Sequence, residues 1–216
     1  MLPKQQLEAF YLVVKDLLSQ QLQLEEALVK LLAEDGIKIC QFGDLTQKQQ
    51  QEMNRYFKKE LYPLLIPQGI DPAHPFPFIS NLALNWLVAT SEKGQEQIFL
   101  NRLKVPTGLG APRFIKVGGD HLYITFEDLV SNNLDLIFPG LVIHSCELFR
   151  GTTNAITERT GEQANDLLAM IESALRDRKF ADIVRLEVGP CMTKDHRALL
   201  AAELGINVDE DVIETP

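Results

Sequence analysis

The sequence predicts an α+β protein: one long N-terminal amphipathic helix, then a mixed-sheet head domain with helices packed on it. Three observations carry this. Apolar residues at Leu7, Phe10, Val14, Leu17, Leu24, Leu28 and Leu31 keep the 3,4 spacing that a helix turns into one face. Residues 82–90 and 97–105 flank Ser91-Glu-Lys-Gly-Gln, and residues 113–117 and 121–125 flank Gly118-Gly119-Asp120, giving two hairpin patterns. Farther on, the strand-like stretches 141–150 and 183–188 are separated by a helical pattern at 161–179, so hairpin and helix-crossover connections coexist in one sheet.

The N-terminal helix has its own punctuation. Pro3 suits a first helical turn and Gly36 the position just past the end, so about 32 residues span roughly 48 Å. Tyr11, Leu18 and Leu32 widen the stripe, which needs a partner: the head, neighbouring helices or a second chain. Residues 1–36 are therefore taken as a helical segment and 37–216 as the head. Within the head, 37–40 alternates as a short strand. Thr46 with Gln49 three residues later forms a capping box for a helix carrying Met53, Tyr56, Phe57 and Leu61 and ending at Pro63.

Pro72, Pro75 and Pro77 then fix three φ angles and delete three N–H donors, which rules out helix or sheet interior and leaves an extended apron. Trp86-Leu87-Val88 in succession implies a strand buried on both faces. One helix is expected over 126–137, ended by Phe138-Pro-Gly. In the strand 183–188, Val184, Leu186 and Val188 share one face, and Arg185 and Glu187 the other. Thr193 starts a last helix that stops at Gly205.

Composition narrows function. With 216 residues, 45% of them apolar, the chain can bury roughly 70% of its unfolded surface and support a full core. Lys and Arg number 21 against 30 Asp and Glu, a formal charge of −9, which opposes binding to nucleic acid or an anionic membrane. No apolar run reaches the roughly 20 residues of a membrane span, and the polar start of the chain has no signal-peptide character; no membrane insertion and a cytoplasmic location are expected. Cys40, Cys146 and Cys191 are odd in number and sit among apolar neighbours, which reads as buried free thiols.

Catalytic engines are missing from the sequence: there is no phosphate loop, no GxGxxG, no HExxH, no GxSxG and no CxxC. Gly108-Leu-Gly110-Ala-Pro-Arg113 reads as a hairpin loop because no helix N-terminus follows to complete a phosphate cradle. His74, His121, His144 and His196 have no ligand spacing, and the acid runs Glu25-Glu26, Glu127-Asp128 and Asp209-Glu210-Asp211 suit solvated faces and helix ends. No metal site, cofactor site or catalytic residue is assigned.

One resemblance adds to this. Leu61-Tyr-Pro-Leu-Leu-Ile-Pro, followed by Ile70-Asp-Pro-Ala-His-Pro-Phe-Pro-Phe-Ile-Ser-Asn-Leu-Ala-Leu-Asn, resembles the start of the middle (head) domain of polyphosphate kinases. Val105-Pro, Pro112-Arg-Phe-Ile, Phe138-Pro-Gly, Phe149-Arg with Asn154-Ala, Asp166-Leu-Leu and Ile183-Val-Arg-Leu-Glu-Val resemble later landmarks in the same order. The resemblance implies an enzyme that moves the γ-phosphoryl group of ATP through a phosphohistidine and Mg²⁺ onto polyphosphate. It also implies that ATP and Mg²⁺ belong to the complete enzyme, whose reactive histidine lies in a C-terminal half outside this sequence, so this chain alone is expected to be inactive. The N-terminal helix becomes the last helix of a helical domain, and a homo-oligomer is expected. Polyphosphate binding is expected to be weak, because the charge of −9 opposes a polyanion and the main anion channel is expected in other parts of the family architecture. The alternative is a stand-alone assembly or regulatory protein on the same fold. Arg113 and Arg150 match arginines of the family pattern and are the candidate phosphate contacts, since a bidentate guanidinium suits phosphate; Arg185 is read as an ion-pair partner. Departures stand at Thr153 in place of a second arginine, Ile156 in place of an acid, and Ile66 in place of a threonine.

Overall fold

The computed structural model describes residues 3–71, 76–106, 111–119, 121–154 and 181–215. The expected helix over 161–179 lies outside these residues, as do His74, Asp120, Gly108, Gly110 and Ile156.

Helix α1 runs Pro3–Glu34, 32 residues as the spacing predicts. Its end is a Schellman turn: Gly36 takes φ +83°, its N–H donates to Ala33 O, and Ile37 N–H donates to Leu32 O at 2.8 Å. Strand β1 (Lys38–Ile39) follows. Helix α2 (Gln47–Tyr56) opens on the predicted capping box, with Thr46 Oγ1 accepting from Gln49 N–H and Gln49 Oε1 accepting from Thr46 N–H. The chain then loosens through a π turn (Phe57–Leu61) and a 3-10 turn (Tyr62–Leu64), because Pro63 has no N–H to continue the ladder.

Six strands form the main sheet in the order β2-β4-β3-β7-β8-β9. They are β2 (Pro67–Ile70), β3 (Leu84–Glu92), β4 (Phe99–Lys104), β7 (Leu141–Thr153), β8 (Ile183–Val188) and β9 (Val212–Glu214). All neighbours are antiparallel except β8 and β9, which α5 (Lys194–Leu204) separates in sequence. The second predicted hairpin, β5 (Phe114–Lys116) and β6 (Leu122–Thr125), sits in its own three-stranded sheet with β1 parallel to β6. Strands β2 and β9 escape the sequence reading: both are short and lie on edges, where burial imposes no alternation, and Pro67 costs an edge strand nothing.

The main sheet is covered on both faces, as Trp86-Leu87-Val88 implies. Trp86, Val88 and Leu103 pack with Met53, Phe57, Phe126 and Leu129 on one side. Leu87, Phe149, Leu186 and Val188 pack with Ile79 and Leu200 of α5 on the other. Trp86→Ala removes a side chain that is 1% exposed at the centre of the first core. It is expected to cost about 3–5 kcal/mol of unfolding free energy, measurable by urea titration.

Three expectations need correction. The helix over 126–137 is two helices, α3 (Phe126–Ser131) and α4 (Leu134–Ile137). The break falls at Asn132-Asn133, where Asn132 Nδ2 donates to Asp128 O, while buried Asn133 donates to Leu129 O and across to Asn54 Oδ1. Those amides satisfy backbone groups that a continuous helix would use. Second, the helix opening at Thr46 stays α-helical only to Tyr56, short of the end expected at Pro63. On α1 the head covers only part of the apolar surface: Tyr11, Val14, Leu18, Leu22 and Leu32 are half-buried, whereas Phe10, Leu17, Leu24 and Leu31 are 56–60% exposed.

Third, the thiols are not all buried: Cys191 is exposed, and Cys40 and Cys146 are half-buried. Burial pushes the Cys146 thiol up to about 12, with the Glu147 charge adding to it, and burial likewise raises Cys40. At pH 8 a disulfide reagent is expected to label Cys191 at once and Cys146 only on unfolding; equal labelling rates by mass spectrometry would contradict the structure. A folded pKa above the unfolded one means the unfolded chain releases this proton first. The stability that Cys146 leaves intact below about pH 8.5 therefore declines as pH rises toward 12.

Candidate functional site

Strand register builds the site. In the β7–β8 pairing Arg150 stands opposite Glu187, and Arg185, two residues earlier on β8, shares the face of Glu187. Arg150 Nε donates to Glu187 Oε2 at 2.7 Å, and its Nη2 donates to the same oxygen. Arg185 Nη2 pairs with the other oxygen, Oε1, at 2.9 Å and reaches Thr152 Oγ1 at 3.5 Å. One carboxylate, its side chain 7% exposed, thus holds two guanidiniums, and Arg150 keeps 45% of its side chain in solvent. The face shared by Arg185 and Glu187 was legible from strand alternation; the partner across the ladder was not.

Arg113 comes from the loop before β5. Its Nη1 lies 3.0 Å from Glu127 Oε1 in the first turn of α3, an ion pair not aligned as a hydrogen bond. The arginine side chain is 62% exposed. Although 37 positions separate them, Arg113 and Arg150 line one cleft of about 360 Å³, walled on its other side by Leu18, Gln21, Leu22 and Glu25 of α1. Leu82 also lines it, at φ +58°, the one non-glycine residue in the left-handed region among the described residues; its N–H donates to Gly151 O. Within the cleft the cations Arg113 and Arg150 face the anions Glu25 and Glu187, so local charge balances. Each guanidinium has five N–H groups, and among the described residues these ion pairs occupy only part of that set.

Of the remaining candidates, His144, His196, Asp128 and Asp211 have structural partners. His144 shares a 2.8 Å hydrogen bond with Ser91 Oγ. His196 Nδ1 meets buried Glu147 Oε2 at 2.5 Å, and Glu147 also accepts from Thr193 N–H, which ties the start of α5 to β7. Asp128 caps the turn at Phe42 by accepting its N–H, and Asp211 accepts from Asn207 N–H. Tyr11 Oη reaches Val184 O and Asp211, pinning α1; burial and then the Asp211 charge raise its pKa. Among the described residues no three His, Cys, Asp or Glu side chains converge on a metal position. Thr153, standing where the family pattern has arginine, donates its N–H to Asn81 Oδ1.

The family model for the polyphosphate kinase middle domain matches residues 48–216. The chain belongs to the polyphosphate kinase family. A polyphosphate kinase from Synechocystis is 35% identical over 94% of this chain and 30% of its own length. One from Mycobacterium avium is 38% identical over 86% of this chain and 26% of its own. The crystal structure of polyphosphate kinase from Porphyromonas gingivalis superposes with a TM-score of 0.77 at 20% identity, covering 98% of this chain and 30% of that one. The α+β head with its long leading helix is thus a polyphosphate kinase fold, and the chain spans less than a third of the relatives it matches. No helix among its described residues is long and apolar enough to cross a membrane.

Proposed function

We propose that this chain is the head portion of a cytoplasmic enzyme that transfers the γ-phosphate of ATP to polyphosphate, with 1–36 ending a helical domain and 37–216 forming the head. In that reading the head shapes the substrate path, and ATP and Mg²⁺ act elsewhere in the complete enzyme. The observation that carries it is the meeting of Arg113 and Arg150 in the cleft under α1. Ion pairing fixes each guanidinium while leaving exposed N–H groups, the arrangement a phosphate chain requires. Because Glu25 and Glu187 balance the charge, binding by this portion alone should be weak.

At low salt, short polyphosphate is expected to bind the 216-residue chain with an affinity that falls as salt rises. It should fall again, roughly tenfold, for Arg113→Ala or Arg150→Ala. Binding untouched by both substitutions would return these arginines to a purely structural role. The chain itself is expected to stay unlabelled with radiolabelled ATP and Mg²⁺; an acid-labile label would refute the non-catalytic assignment.

The exposed face of α1 favours an assembly role alongside this one. Phe10, Leu17, Leu24, Leu28 and Leu31 are each at least half exposed on one helix. A two-fold pairing of α1 with a second copy covers that face, making the head a homo-oligomer.

A further inference from the structure

The opposite face of the main sheet carries a second cleft lined by cations, Arg102 and Lys104. Arg102 pairs in register with Leu87, whereas Arg150 pairs with Leu84; an odd separation along β3 puts the two arginines on opposite faces. Arg102 is 4% exposed, and burial lowers its pKa. A buried guanidinium ordinarily sits against a carboxylate. Here its partners are neutral amides: Nε donates to Asn85 Oδ1 at 2.8 Å and Nη1 to Gln68 Oε1 at 2.7 Å. Among the described residues Nη2 has no partner and no carboxylate pairs with the group.

That charge borders a cleft of about 450 Å³. Lys104, two residues along β4 and therefore on the same face, lines it too, and its Nζ donates to Ser80 Oγ at 2.9 Å. Among the described residues that line it none is acidic, unlike the Arg113–Arg150 cleft. Its walls are largely apolar, with Phe78 43% and Ile66 72% exposed. The Cα atoms of these two residues lie roughly 6–7 Å apart along the strand, so both side chains line one cleft and can share the two phosphates of a diphosphate. The exposed ring beside them offers a stacking surface for a flat group, the usual pairing of apolar wall and few polar anchors in a ligand site.

We infer that the cleft of Arg102, Lys104, Ser80 and Phe78 binds an organic diphosphate, its phosphates on the two cations and its flat body against Phe78. A nucleoside diphosphate is the simplest probe. The site is separate from the Arg113–Arg150 cleft, so either assignment can fail without the other.

Calorimetric titration of the 216-residue chain with ADP at low salt is expected to give one site. Arg102→Met should abolish it, and Lys104→Ala and Phe78→Ala should each weaken it roughly tenfold. Lys93→Ala, an exposed cation in the turn between β3 and β4 and outside both clefts, should leave it unchanged. Lys104 and Phe78 are exposed, so their variants decide the matter even if Arg102→Met fails to fold. No ADP binding, or ADP binding that survives both exposed-site variants, would overturn the site. Tripolyphosphate binding as tightly as ADP and ignoring Phe78→Ala would overturn the stacking of an organic body.

Discussion

Glu187→Ala is expected to lower the unfolding free energy by about 3 kcal/mol, at the low end of what breaking a buried ion pair costs. The carboxylate is 7% exposed and holds Arg150 and Arg185 together. Removing it leaves two cations side by side with no counter-charge in the ladder. Arg150 is 45% and Arg185 26% exposed, so water relieves part of the repulsion, which sets the lower figure. The same change moves ligand binding the other way. With Glu187 gone the cleft retains Arg113 and Arg150 against Glu25 alone, and polyphosphate should bind more tightly. Chemical denaturation and a polyphosphate titration on the milder Glu187→Gln variant test both signs. A variant that loses stability and also loses polyphosphate binding would mean that Glu187 positions the arginines for the ligand instead of competing with it.

On the proposed two-fold pairing of α1, replacing Leu17 and Leu28 by Asp is expected to abolish the dimer. The two side chains are 56% and 50% exposed in the single chain. Covering the open half of each recovers roughly 0.8–1.5 kcal/mol, and a two-fold pair contains four such side chains. The sum of about 3–6 kcal/mol is a factor of roughly 10² to 10⁴ in the dimer constant. Sedimentation of the variant should give a folded monomer where the unmodified chain, at tens of micromolar as a rough working range, gives a dimer. An unmodified chain that sediments as a monomer ends the dimer proposal.

What the sequence disclosed follows from which interactions are local. The Thr46–Gln49 box, the Gly36 and Gly205 helix ends and the strand alternation at Arg185 and Glu187 depend on neighbours within five residues, and each is where the sequence places it. The break between α3 and α4 was not legible, because Asn133 bonds to Asn54, 79 positions away. The stripe on α1 was legible but its direction was not. Tyr11, reaching Val184 and Asp211, turns the flank of the stripe and Val14 toward the head and leaves Phe10, Leu17, Leu24 and Leu31 exposed. Arg113 and Arg150 stood out through the family pattern, whereas their carboxylate partners depend on register and loop placement. Arg102 gave no signal at all: its neutral partners become visible only when β2, β3 and β4 are side by side.

The most direct test of the central claim observes the arginine side chains themselves. In an NMR titration of the 216-residue chain with short polyphosphate at low salt, the Nε–Hε signals of Arg113 and Arg150, assigned by Arg→Lys substitution, are expected to shift together and saturate at one ligand concentration. Stationary Arg113 and Arg150 signals while polyphosphate binds would contradict the assignment of the cleft under α1 as the phosphate path.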